Sequence, residues 1–236
     1  MPDHSDSTPI LLVPGLNCSP RLYAAQIPAL WRLGPVMVAD HRRGETMAEI
    51  ARRILAAAPS RFRLAGLSMG GYIALEIMRQ AAGRVVKLAL LDTSARAETP
   101  EQTERREKLI ALVEAERFLE VNNVLWPVLV DPSRQKDVAL RADIDKMAEE
   151  TGAEAFVRQE RAIIGRADSR PTLGGIKCPV LMVVGEHDQL TPPTHAEEIA
   201  QGIPGARFVI LASSGHMSPM EKPEEVTRLL VDFFAG

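Results

Sequence analysis

Six short apolar runs, separated by stretches of helical periodicity, constrain this chain more than any other feature. They are "ILLVPG" from Ile10, "PVMVAD" to Asp40, "RFRLAG" to Gly66, "VKLALLD" to Asp92, "CPVLMVVGEHD" from Cys178 and "ARFVILASSGH" to His216. Continuous apolar runs of this length suit strands covered on both faces, the condition of a parallel sheet sandwiched between helices. The intervening stretches "GETMAEIARRILAAA" and "GGYIALEIMRQAA" carry helical spacing. The alternation predicts right-handed β-α-β crossovers and an open parallel sheet.

The rhythm breaks between 93 and 173. "TPEQTERREKLIALVEAERFLEVNN" predicts a charged helix in which Leu109, Leu112 and Val113 share a face. Further helical stretches follow around Gln135–Glu150 and Ala153–Gly165. The interval is therefore expected to be an all-helical cap, residues 93–173, placed over one end of a core made of 1–92 and 174–236. Its charge runs are expected to form a solvated face. The last stretch, "PEEVTRLLVDFFAG", opens with a proline and two glutamates, residues that suit the first turn of a helix.

The chain has 236 residues, enough for one large core, with 46% hydrophobic residues and a formal net charge of -3. That balance excludes a basic nucleic-acid surface. "MPDHSDSTP" lacks the features of a secretory signal and no stretch is long enough to span a bilayer, so a cytoplasmic protein without a membrane partner is expected. Cys18 and Cys178 are expected to be isolated thiols. The five histidines, His4, His41, His187, His195 and His216, show no metal-binding spacing.

Ligands in open parallel sheets bind beyond the carboxyl ends of the strands. Ser68, Asp92, Asp188 and His216 all fall there. Ser68 lies in "AGLSMGGY", between a strand and a helix, where a tight turn exposes its hydroxyl beside orphan N–H groups. The same residues also fit a plain turn. As a nucleophile, Ser68 needs a base to take its proton. His216, in the loop after the last strand, is the candidate. Asp188 in "GEHDQLTP" is the candidate acid that orients His216, with Asp92 its rival. Thr191 is expected to cap the following helix, leaving Asp188 free.

Taken in order, "LLVPG", "AGLSMGG", "LALLDTSA", "CPVLMVVGEHDQLTP" and "SSGHMSPMEKPEEV" resemble the α/β-hydrolase fold superfamily, in its small single-domain members with a helical cap. The resemblance implies a six-stranded parallel sheet with helices on both faces. It also implies an oxyanion hole made of the backbone N–H groups of Leu16 and Met69. Leu16, Met69, Trp126 and Met217 are the expected pocket residues; Tyr23 either faces the cleft or packs beneath it. Two departures stand out. Pro14-Gly15 replaces the usual His-Gly, so support for the oxyanion loop must come from elsewhere. "DHRRGETM" replaces the usual turn after the second strand.

The expected function is a serine hydrolase acting on a small carboxylic ester, thioester or lactone, with no cofactor implied. Two alternatives stay open. One is carbon–carbon bond hydrolysis, lyase or perhydrolase chemistry by the same residues, and the other is a ligand-binding signalling module on this scaffold.

Overall fold

The computed structural model describes residues 7–236. His4, one of the histidines considered above, lies outside the described residues. The chain opens with β1 (Ile10–Val13) and a short α1 (Ile27–Leu30), then β2 (Val36–Val38) and α2 (Met47–Ala57). β3 (Phe62–Leu67), α3 (Met69–Ala81) and β4 (Val85–Leu91) follow. Four helices come next, α4 (Pro100–Glu114), α5 (Val121–Leu129), α6 (Val138–Thr151) and α7 (Ala153–Ile164). β5 (Val180–Gly185), α8 (Pro193–Gly202), β6 (Arg207–Leu211), α9 (Ser218–Glu221) and α10 (Pro223–Ala235) complete the chain.

All six strands join one sheet in the order β2-β1-β3-β4-β5-β6, and every pairing is parallel. β1, β3 and β5 are buried at every residue, β1 and β5 with wholly apolar sequences and β3 with the single charged residue Arg63, whereas the edge strands β2 and β6 are partly exposed. Successive strand side chains point to opposite faces, which divides the core in two. Leu11, Val13, Leu64, Leu88, Leu90, Met182 and Val184 pack with α2, α3 and α8. Ile10, Leu12, Leu67, Leu91, Leu181 and Val183 pack with α10 and part of α6. Strand order reverses between β1 and β3, and ligands of open parallel sheets bind beyond the carboxyl ends of the strands at such a reversal.

The helices between β4 and β5 make their own small cluster. Leu109, Val121 and Phe156 are buried, with Leu112, Val113, Phe118 and Leu125 packed around them. Leu16, from the loop after β1, packs on the same cluster and ties the insertion to the sheet. α4 starts at a reciprocal cap, Thr99 with Gln102, which satisfies two otherwise orphaned donors.

Most of the charge run lies on a solvated face as expected, with Glu101, Glu104, Arg105, Glu107 and Lys108 exposed, but a few charges turn inward. Arg106 bonds Glu98 and Glu160, whose side chains are buried, and buried Arg166 pairs with Glu98. The Arg166 guanidinium also lies 4.3 Å from the Tyr72 ring centroid. The reason is packing. Charges on helices stacked against one another share their contact face and must pair there. No helix among the described residues is long and apolar enough to cross a membrane.

Candidate active site

Ser68 sits between β3 and α3 with φ 54° and ψ -115°, a backbone conformation that costs a non-glycine residue about 1–3 kcal/mol. Surrounding contacts over-determine it. The Ser68 N–H donates to Leu91 O at 2.9 Å, and the Thr93 hydroxyl donates to Ser68 O at 2.8 Å. A methyl group added at Gly66 would lie 2.2 Å from Gly70 O, and one at Gly70 would lie 2.1 Å from Val13 O. Only glycine lets β1, β3 and α3 approach this closely. Across residues 62–78 every residue is buried except Ser68.

His216 and Asp188 arrive on the loops after β6 and β5. His216 Nε2 is 2.7 Å from Ser68 Oγ, and His216 Nδ1 is 2.8 Å from Asp188 Oδ2. A carboxylate only accepts, so Nδ1 carries the proton and Nε2 is left to accept from the serine hydroxyl. Burial alone pushes the His216 pKa down. The charge of Asp188 and its hydrogen bond are the largest of the effects that oppose burial, and the net displacement is upward. The arrangement is therefore able to draw a proton from Ser68 and to stabilise the imidazolium that results.

Thr191 does something other than cap α8. Its hydroxyl donates to Asp188 Oδ2 at 2.8 Å, while the N–H groups of Leu190 and Thr191 donate to Oδ1 at 2.9 Å. The residue before α8 is Pro192, which makes no side-chain cap. Turning the hydroxyl inward meets a buried carboxylate, a stronger demand than a helix end.

Asp92, the rival acid, is fully buried and meets other groups. Its Oδ1 accepts from Gly185 N–H at 2.9 Å and its Oδ2 bonds the Ser218 hydroxyl. Burial, then the nearby charge of Asp188, hold the Asp92 carboxyl well above the usual carboxylate range.

Beside Ser68, the loop after β1 carries Leu16. Among the described residues, neither Leu16 N–H nor Met69 N–H is bonded to another protein group. The support missing from Pro14-Gly15 comes from the turn after β2. His41 Nε2 lies 2.8 Å from Gly15 O, with the ring buried. From the other side, Asn17 N–H donates to the buried Gln159 Oε1 at 3.0 Å. Tyr23 packs beneath, donating its hydroxyl to Val13 O at 3.1 Å. Cys18 is an unpaired, buried thiol whose pKa burial pushes up to about 12, far from that of a reactive nucleophile.

The His216 loop has a brace that the sequence reading missed. Glu221 is buried and accepts from the N–H groups on both sides of His216, Gly215 at 3.0 Å and Met217 at 3.1 Å. Its other oxygen accepts from Asp131 N–H at 2.7 Å, in the helical insertion. His216 N–H itself donates to Leu129 O, and His187 bonds Asp131. Main chain also meets main chain here. A methyl group at Gly185 would lie 2.1 Å from Gly215 O, and one at Gly215 would lie 2.5 Å from Asp131 N.

The expected pocket residues differ in exposure. Leu16 is partly exposed, while Met69 and Met217 are buried in the two main core clusters. Trp126 is half-buried, donates its indole N–H to Gln135 O and has Arg141 5.3 Å from its ring. Among the described residues, no group of three or more His, Cys, Asp or Glu is placed to hold a metal ion.

The alpha/beta hydrolase family matches residues 10–229. A 2-hydroxy-6-oxo-6-phenylhexa-2,4-dienoate hydrolase from Comamonas testosteroni is 26% identical over 84% of this chain and 71% of its own. The enol-lactonase of Burkholderia xenovorans LB400 superposes with a TM-score of 0.90 at 28% identity, covering 99% of this chain and 93% of the lactonase. A thermophilic esterase from Thermogutta terrifontis gives 0.87 at 28% identity, over 97% and 91% of the two chains. With the sheet order, the strained serine turn and this coverage together, the chain belongs to the alpha/beta hydrolase family.

Proposed function

We propose that the protein is a serine hydrolase that cleaves a small carboxylic ester, thioester or lactone through an acyl-enzyme on Ser68. One observation carries the reading: the unbroken hydrogen-bond chain from Asp188 through His216 to Ser68, beside two unbonded backbone N–H groups. Ser68 Oγ attacks the carbonyl carbon as His216 Nε2 takes its proton, and Asp188 holds the imidazolium. The carbonyl oxygen gains the negative charge and accepts from Leu16 and Met69 N–H. His216 then returns the proton to the departing alcohol, thiol or ring oxygen. A water deprotonated by His216 attacks the acyl-enzyme, releasing the acid and regenerating Ser68. The similarity to an esterase and an enol-lactonase supports this substrate class.

Residues 93–173 serve as a cap in this reading, with Leu129 and Asp131 bonded to the loops that carry His216 and His187. Leu16 and Trp126 contribute apolar surface to the pocket, whereas Met69 and Met217, next in sequence to Ser68 and His216, are buried and pack in the core. The Comamonas relative supports a second reading, hydrolysis of a carbon–carbon bond beside a carbonyl by the same three side chains.

The test is Ser68→Ala with fluorophosphonate labelling and intact-mass spectrometry. Wild type is expected to gain one adduct and Ser68→Ala none, with folding unchanged. Labelling elsewhere, with activity kept in the variant, refutes the reading. A panel of esters, thioesters, lactones and vinylogous diketones then separates the two chemistries.

A further inference from the structure

We infer that His41 is a positioning residue of the oxyanion hole, acting on the Leu16 N–H through the Gly15–Leu16 peptide. The inference rests on the oxyanion role proposed above for that N–H. His41 follows the edge strand β2, yet its imidazole is buried against the loop after β1. Gly15 O can only accept, so the ring proton sits on Nε2, 2.8 Å away. Burial pushes the His41 pKa down, which keeps the ring neutral and fixes that tautomer near neutral pH.

The effect on Leu16 follows from the peptide bond itself. Gly15 C=O and Leu16 N–H belong to one planar, trans amide and point in opposite directions. A group that pins the oxygen therefore aims the N–H. Gly15 lies against the nucleophile turn, where an added methyl group would stand 3.5 Å from Ser68 Cβ. The local turn supplies one donor to Gly15 O, Cys18 N–H at 3.2 Å, and His41 supplies a second, shorter one. A donor on the carbonyl also draws electron density through the amide and strengthens its N–H as a donor. Gln159 steadies the next peptide at Asn17, but His41 alone of these side chains bonds the amide that contains the Leu16 N–H.

The experiment compares wild type, His41→Phe and His41→Gln with 4-nitrophenyl acetate as substrate and a trifluoromethyl ketone that adds to Ser68 as inhibitor. Phe keeps a planar ring and removes the donor; Gln keeps an N–H. His41→Phe is expected to lose about 10–100-fold in kcat, less than removal of an oxyanion donor outright, with KM little changed. Affinity for the ketone should fall by the factor lost from kcat/KM, and His41→Gln should recover part of both. Wild-type kcat in folded His41→Phe overturns the inference, as does an equal loss in the two variants. In wild type the His41 Nε2–H proton resonance should move when the ketone adds, and an unmoved resonance overturns the inference with no variant needed. If wild type reacts with neither ketone nor fluorophosphonate, the Ser68 reading falls and takes this inference with it.

Discussion

A buried aspartate follows each of the adjacent strands β4 and β5, and the two carboxyls meet different partners. Asp188 faces two backbone N–H groups, a threonine hydroxyl and an imidazole that can carry charge. Asp92 faces one backbone N–H and one serine hydroxyl. Both are at most 3% exposed, so burial does not separate them. Donor number and donor charge do. A carboxylate out of water is tolerated where several donors, one of them chargeable, converge on it. With two neutral donors and Asp188 nearby, Asp92 is driven toward its protonated form.

The sharpest way to break this contrast is Asp188→Asn. It is expected to lower kcat about 10⁴-fold with the fold intact, the loss measured for the same change in a serine protease triad. A loss under tenfold would transfer the acid role away from Asp188. Asp92→Asn is expected to cost much less, under about tenfold, because a neutral amide reproduces the protonated acid. Equal losses in the two variants would erase the distinction.

A smaller effect tests the ionisation of Asp92 directly. Its folded-state pKa is raised, so its contribution to stability is complete below its unfolded pKa of about 3.9 and declines as pH rises toward the folded value. Denaturant titrations from pH 4 upward should show Asp92→Asn gaining on wild type as pH rises. A constant difference would mean that Asp92 ionises freely.

The smallest expected change lies in the pH–rate profile. The base must be neutral, and the His216 pKa is displaced upward, so kcat/KM should climb with pH to a midpoint above the ordinary imidazole value of about 6.5. A neutral Asp92 contributes no charge to that midpoint, and Asp92→Asn should leave it in place. A downward move in the variant would show Asp92 acting as an anion beside His216.

Much of the fold was legible because its signals are local. Apolar runs announced β1, β3 and β5, unbroken in β1 and β5, and glycines around Ser68 announced the tight turn that the chain adopts there. The alignment of Ser68, His216 and Asp188 by hydrogen bonds also followed from their places at strand ends. The supports were not legible. His41 to Gly15 spans 26 residues and Asn17 to Gln159 spans 142, and no periodicity links such partners. Thr191 illustrates the same limit at short range. Its sequence position fits a helix cap, and the buried carboxylate that claims its hydroxyl is visible only in three dimensions. The clue to His41 was indirect, a loop after β1 without the histidine that the family resemblance leads one to expect and an atypical turn after β2.

The main-chain contact of Gly185 with Gly215, and of Gly215 with Asp131, has a mechanical consequence. Backbone stacked on backbone has no rotamers through which to yield, so the three segments behave as one stiff joint. The spacing of Asp188 and His216 is then set by that joint rather than by the apolar layer beneath it. Truncating Val183 or Leu211, both buried in the sheet below, should cost about 1–5 kcal/mol of stability while surviving folded molecules turn over at nearly the original rate. Tolerance to heat and alignment of the reacting groups are in this way separately adjustable. A methyl group at either glycine, by contrast, would spread the joint and degrade alignment first.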